Sequence, residues 1–245
     1  MATTGRRKLN SLYAQMTAGT PFTSQDLAAM GISADLAVHY ARSGWLVRLA
    51  RGIYRRPGED IQLHPSLRLL EHGIEGLHVG GKTALGWYGL RQYLAQQEML
   101  HLRGTRAAKL PDWFLGRFPA EYHSQRLFHE RPDSLLDVTA FENRADGPRV
   151  SAPERAMLEL LSEVGIRQPL QEARELMESA YSLRADHLSR LLRSCTSVKT
   201  VRLCLHLGRE LSLPWVQKLN PAELPTGSKR PWVSRSNEGL LVLKP

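Results

Sequence analysis

Between Arg6 and Gly58 the hydrophobic pattern follows a helix-type period three times and then changes to two short strand-like runs around Ala50-Arg51-Gly52. Few small folds accept that order. Leu9, Leu12, Tyr13 and Met16 share one face of a helix predicted from Arg6 to Met16, which Gly19 and Pro21 end. Thr23 or Ser24 caps a short second helix through Met30, with Asp26 favourably placed in its first turn. Gly31 supplies a tight turn. Ser33 caps a third helix, Ala34 to Arg42, whose buried stripe holds Leu36 and Tyr40, and Ser43-Gly44 stops it. Trp45 to Leu49 and Ile53 to Arg56 then read as antiparallel strands about the Ala50-Arg51-Gly52 turn, closed by Pro57-Gly58. Helix, helix, glycine turn, helix, hairpin is the order of a winged helix-turn-helix, and it places a first domain at residues 1–60.

Charge suggests what such a domain would meet. The chain carries a formal net charge of +9, and from Arg42 to Arg56 it has five arginines and no acid. Clustered positive charge favours a polyanion, because each neutralised phosphate releases condensed counterions. On the third helix, Ser33, Asp35, His39 and Arg42 are the polar residues that would face a major groove. Arg48, Arg51, Arg55 and Arg56 belong to the hairpin, with Arg51 at its tip, where a side chain reaches a phosphate or a minor groove. Asp35 either repels phosphate or accepts from a cytosine amino group. The competing reading is a protein-interaction module with a solvated basic face. A membrane surface fits less well, since no basic amphipathic helix with a bulky apolar face is evident.

Several other classes find little support. No apolar run approaches the roughly 20 residues of a membrane span. Met1 to Lys8 is basic but has no apolar core behind it, unlike a secretory signal. The two cysteines, Cys195 and Cys204, have no neighbouring Cys/His pattern, so neither a disulfide framework nor a zinc site is expected. A cytoplasmic protein is the resulting expectation. Gly76-Leu77-His78-Val79-Gly80-Gly81-Lys82-Thr83 fits the phosphate-loop pattern G-x-x-x-x-G-K-[ST] to the letter. Its context does not: Leu77 to Val79 reads as a strand inside the supposed loop, after a predicted helix over Pro65 to Ile74 and before a short helix ending at Gly89. No clear strand bearing a magnesium-binding Asp follows. Nuclease, H-E-x-x-H and G-x-S-x-G patterns are absent. His64, His72, His78, His101, His123, His129 and His206 each stand alone among apolar or loop residues and read as structural. No catalytic residue, metal or cofactor is expected.

Gly44-Trp45-Leu46, Arg51-Gly52-Ile53-Tyr54, Val79-Gly80-Gly81-Lys82-Thr83-Ala84-Leu85 and Ser151-Ala152-Pro153-Glu154-Arg155-Ala156, in that order and spacing, resemble the AbiEi antitoxins of type IV toxin–antitoxin systems. The resemblance spans roughly residues 9–165. It implies a non-enzymatic transcriptional autorepressor that binds inverted repeats of double-stranded DNA in its own promoter through the N-terminal winged helix. It also implies an antitoxin that counters a nucleotidyltransferase-like toxin without a stable complex. Two alternatives remain open from the residues: a P-loop NTPase with a DNA-binding head, and a ligand-responsive winged-helix regulator.

Residues 61–245 then form a larger mixed α/β domain, making the whole chain α+β. A strand is predicted over Glu98 to Arg103, shorter strands near Leu135 to Phe141 and Arg149-Val150, and a strong helix opened by Pro153. Glu154 and Arg155, near its start, either contact a loop or are solvated. Helices follow over Gln171 to Tyr181, Ala185 to Arg193 and Ser197 to Leu211, the last with basic Lys199, Arg202 and Arg209. Trp232-Val233 and Leu240 to Leu243 read as a terminal antiparallel pair. Lys229, Arg230 and Arg235 are either a second phosphate contact or a solvated tail.

Overall fold

The computed structural model describes residues 12–90, 99–131, 134–228, 230–236 and 239–243. Most of the first predicted helix, residues 6–11, lies outside them, as do Glu98 and Lys229; residues 12–15 are helical. Strand β1 (Phe22–Thr23) leads into helix α1 (Ser24–Ala29). Thr23 starts that helix by a reciprocal cap: its Oγ1 accepts from the Asp26 amide at 3.1 Å, and its own amide donates to Asp26 Oδ2 at 2.7 Å. Helix α2 (Ala34–Arg42) begins where Ser33 Oγ accepts from the Leu36 amide at 3.3 Å. Strands β2 (Val47–Ala50) and β3 (Ile53–Arg55) form the hairpin. Gly52 turns it at φ +75°, a conformation that costs a residue with a Cβ. The sheet order is β1-β3-β2, all antiparallel.

This sheet corrects two details of the sequence reading. Phe22–Thr23 is a strand, too short to show a period of two, and it closes the sheet by pairing with Tyr54 and Ile53. Trp45 and Leu46 precede the hairpin rather than open it, while Ala50 is its last β2 residue. Leu12, Met16, Phe22, Leu27, Ile32, Ala37, Tyr40, Leu46 and Tyr54 bury one another in a core of their own.

The body begins at helix α3 (Leu63–Gly73), followed by β4 (His78–Val79), α4 (Gly81–Trp87), β5 (Leu100–Arg103), α5 (Asp112–Leu115) and β6 (Ala120–His123). After β7 (Val138–Ala140) and β8 (Arg149–Ser151) come α6 (Pro153–Ser162), α7 (Leu170–Glu178), α8 (Ala185–Ser194) and α9 (Val198–Glu210). The strands form one mixed sheet in the order β6-β5-β4-β8-β7. The outer pairs are parallel for β5–β6 and antiparallel for β7–β8. A second core, separate from the head's, joins this sheet to α3, α4 and α6–α9 and includes Leu67, Leu85, Leu102, Met157, Leu191 and Trp215. Strand β6, Ala-Glu-Tyr-His, was not legible: its alternation is polar, and β5 holds it in place.

The terminal antiparallel pair is β9 (Trp232–Ser236) and β10 (Gly239–Leu243). Two of the basic residues of α9 face inward. Arg202 is buried and donates to the carbonyls of Thr226 at 2.6 Å, Arg230 at 2.8 Å and Leu243 at 3.1 Å, and also to that of Ser228. It ties the irregular segment and the hairpin to the helix. Lys199 Nζ donates to the Ser162 and Val164 carbonyls at 2.6 and 2.8 Å, satisfying the C-terminal end of α6. Among the described residues no helix is long and apolar enough to cross a membrane.

Candidate nucleic-acid interface

Helix α2 buries Ala37 and Tyr40 and leaves Asp35, His39 and Arg42 exposed. Their spacing of four and three places them on one solvent face. Ser33 is exposed too, but its hydroxyl oxygen is engaged as the helix cap. Across the Gly44 turn, Arg48 and Arg51 are exposed on the hairpin, Arg51 beside the tip glycine and Arg48 with its Nε on the Ala50 carbonyl at 3.3 Å.

Arg55 and Arg56 behave differently. Both are half-buried. Arg55 Nη1 donates to the carbonyls of Arg56, at 3.1 Å, and Glu59. Arg56 donates to the Met16 carbonyl at 3.3 Å, pairs with Glu59 at 3.3 Å and lies over the Tyr13 ring, 5.1 Å from its centre. The Tyr13 hydroxyl in turn donates to the Trp45 carbonyl at 2.6 Å. Six of the eight residues singled out from the sequence therefore face solvent; of the other two, Arg56 fastens the hairpin's exit to the first helical turn, and Arg55 braces that exit on the Arg56 and Glu59 carbonyls.

The phosphate-loop match is built for another purpose. The amide of Gly81, which such a loop would offer to a phosphate, donates to Glu159 Oε2 of α6 at 3.1 Å. The same carboxylate accepts from Ser151 Oγ at 3.0 Å and Arg155 Nε at 2.7 Å, and His78 Nε2 lies 3.1 Å from it. A Cβ on Gly80 would lie 2.4 Å from Glu159 Oε2, so only glycine lets the carboxylate approach this backbone. Lys82 pairs with Glu172 at 2.8 Å, and Thr83 Oγ1 accepts from the His101 amide at 2.9 Å. The anion seat is filled by the chain's own side chain. Burial alone would raise the Glu159 carboxyl; the His78 bond and the charges of Arg155 and Arg103 outweigh it and hold the group well below the usual carboxylate range.

Glu154 and Arg155 are buried as well, which sequence reasoning left undecided. Arg155 grips both oxygens of Glu130 at 2.7 and 2.8 Å and lies over the Phe128 ring at 4.8 Å. Glu154 takes the backbone and guanidinium of Arg184 at 2.8 to 3.0 Å. The Ser-Ala-Pro-Glu-Arg-Ala segment is thus a knot of charges tying together β8, α6, the loop before β7 and the start of α8.

One further cluster escaped the sequence reading. His101 and His123, taken singly there, and Glu121, not singled out there, carry ligand-type atoms that all lie within 4.8 Å of one another. They line a cavity of about 270 Å³ with Lys82 and Arg103. No linear spacing announces them, because two of the three sit on a strand that had no signal of its own.

Comparison with known proteins agrees over the whole chain. Residues 5–96 match the family described as "Transcriptional regulator, AbiEi antitoxin N-terminal domain". Residues 97–244 match "Transcriptional regulator, AbiEi antitoxin, Type IV TA system". Among curated proteins none matches in sequence. Among solved structures, the fold is similar to that of the RV2827C protein from Mycobacterium tuberculosis, with 17% identity, a TM-score of 0.63, and 93% of this chain and 84% of that one covered.

Proposed function

The chain belongs to the AbiEi antitoxin family of type IV toxin–antitoxin systems, a family of transcriptional regulators, and from that premise we propose that it is a sequence-specific autorepressor that binds inverted repeats in its own promoter. Helix α2 enters the major groove, where His39 and Asp35 meet base edges. Arg42, Arg48 and Arg51 neutralise phosphates, with Arg51 reaching beyond the helix along the backbone or into the minor groove. Ser33, as a cap, positions the helix. Arg55 and Arg56 add to the local positive field while holding the hairpin in place. Residues 1–60 form the DNA-binding domain and residues 61–245 the antitoxin domain; the two separate cores support that division. The antitoxin domain counters a nucleotidyltransferase-like toxin without a stable complex, and the chain is not an enzyme.

The observation that carries this reading is the pairing, in a winged-helix frame, of an exposed α2 face with an arginine at the hairpin tip and no acid between Arg42 and Arg56. Fluorescence anisotropy with a labelled duplex from the operon's own upstream region tests it. Tighter binding to that duplex than to one of shuffled sequence is expected, and equal affinity for both contradicts sequence-specific repression.

A further inference from the structure

Strands β5 and β6 run parallel with His101 opposite Glu121 and Arg103 opposite His123. Alternation along each strand puts His101 and Arg103, and likewise Glu121 and His123, on one face of the sheet. That face lines the 270 Å³ cavity. The two imidazole rings lie nearly parallel, 6.4 Å apart between centres, and Glu121 Oε2 is 3.5 Å from His123 Nε2. Two imidazoles and a carboxylate, with donor atoms within 4.8 Å of one another and an open side, make up the donor set that borderline-soft divalent cations take.

We propose that His101, Glu121 and His123 form a binding site for a transition-metal cation of the zinc class, with one coordination position left open to the cavity. Three observations support it. The parallel register of β5 and β6 sets His101 opposite Glu121, with His123 two residues on along the same face, so the backbone itself holds the three donors together. The neighbouring cations each have a carboxylate partner: Lys82 pairs with Glu172, and Arg103 and Arg167 share Glu163, with Arg103 Nε also 3.7 Å from Glu159. The third is Arg103 itself. It is 5% exposed and lines the same cavity; its Nη1 has no hydrogen-bond partner, while its Nε lies 3.7 Å from Glu159 Oε2. Buried donors of that kind are rare. The free Nη1 suits an anion held in the cavity beside the cation. One contact opposes binding: Arg167 Nη1 lies 3.2 Å from His123 Nδ1. That side chain is 58% exposed, and its other bond is to Glu163 at 3.2 Å.

The test uses the full chain, stripped with a chelator and titrated with Co(II), whose absorption bands report coordination, and then with Zn(II) in competition. One equivalent of Co(II) with d–d bands, displaced by zinc, is expected. His101→Ala and His123→Ala should each weaken binding by at least about tenfold. Glu121→Gln is an exposed change that keeps the fold intact, and it should weaken binding as well. Cys195→Ser/Cys204→Ser and His206→Ala should leave it unchanged, and Arg167→Ala should leave it equal or tighter. Failure of the wild-type chain to bind, or binding that survives the His101, His123 and Glu121 changes, or binding that depends on the cysteines, overturns the proposal.

Discussion

Glu159 sits where β4, β8, α4 and α6 meet, 1% exposed, with every partner contributed by a different stretch of chain except Arg155. Removing its charge takes a shared buried counter-ion from Arg155 and Arg103, leaving them Glu130 and Glu163 alone. Glu159→Gln should therefore destabilise the body by about 3–5 kcal/mol, read as a lower urea midpoint. The pH dependence follows from the same carboxylate. Its folded proton affinity lies below that of the unfolded chain, near about 4.3. Stability from this group is therefore complete above that pH and is lost as pH falls below it, because the unfolded chain takes up a proton that the folded one refuses. Glu154, pulled down by Arg184 against its burial, acts in the same direction. Urea midpoints measured between pH 7 and pH 3 should fall on the acid side, and less steeply in the Gln variant. A midpoint independent of pH in both would contradict the ionised, buried carboxylate. The sequence could show eight residues spelling a phosphate loop but not the carboxylate, 78 positions later, that occupies it. Calorimetry with ATP and Mg²⁺ should give no heat. Lys82→Ala should cost at most about 1 kcal/mol of stability, since its partner Glu172 is a third exposed.

At the scale of elements, the wing shows what local signals carry and what they omit. Caps, the glycine turn and two runs around Arg51-Gly52 were enough to place α1, α2 and the hairpin. Strand β1 is two residues long and exists only through its pairing with β3, so no window of sequence holds it. The edge strand β6 was lost for a similar reason, and with it the meeting of His101 with His123. The hairpin arginines read as one cluster in sequence, but the fold divides them by what they touch. Arg56 bonds to Met16 and Glu59 and lies over Tyr13, so Arg56→Ala should lower the head's stability by about 1–3 kcal/mol as well as weakening DNA binding. Arg51, at the tip, should affect binding alone. Thermal melts of the two variants separate the cases, and equal melting points would refute the division.

For the molecule as a whole, the basic head and the larger charge-knotted body have separate cores, and the four sequence motifs fall on both. The α+β class and the family were legible because the motifs mark turns and buried charges whose spacing the fold constrains. The body's internal wiring was not, since Arg202, Lys199 and Arg155 look like any basic residue until their carbonyl and carboxylate partners are brought to them by tertiary structure. The central proposal concerns the head: that α2 and the arginine tip grip duplex DNA. The most direct measurement is the affinity of the full chain for its own promoter duplex across a salt series, for the wild type and for Arg42→Ala/Arg51→Ala. The account predicts a linear fall of log affinity with log salt, and a slope shallower by about 2 in the double variant, one unit for each lost phosphate contact. An unchanged slope and affinity in the double variant would contradict it.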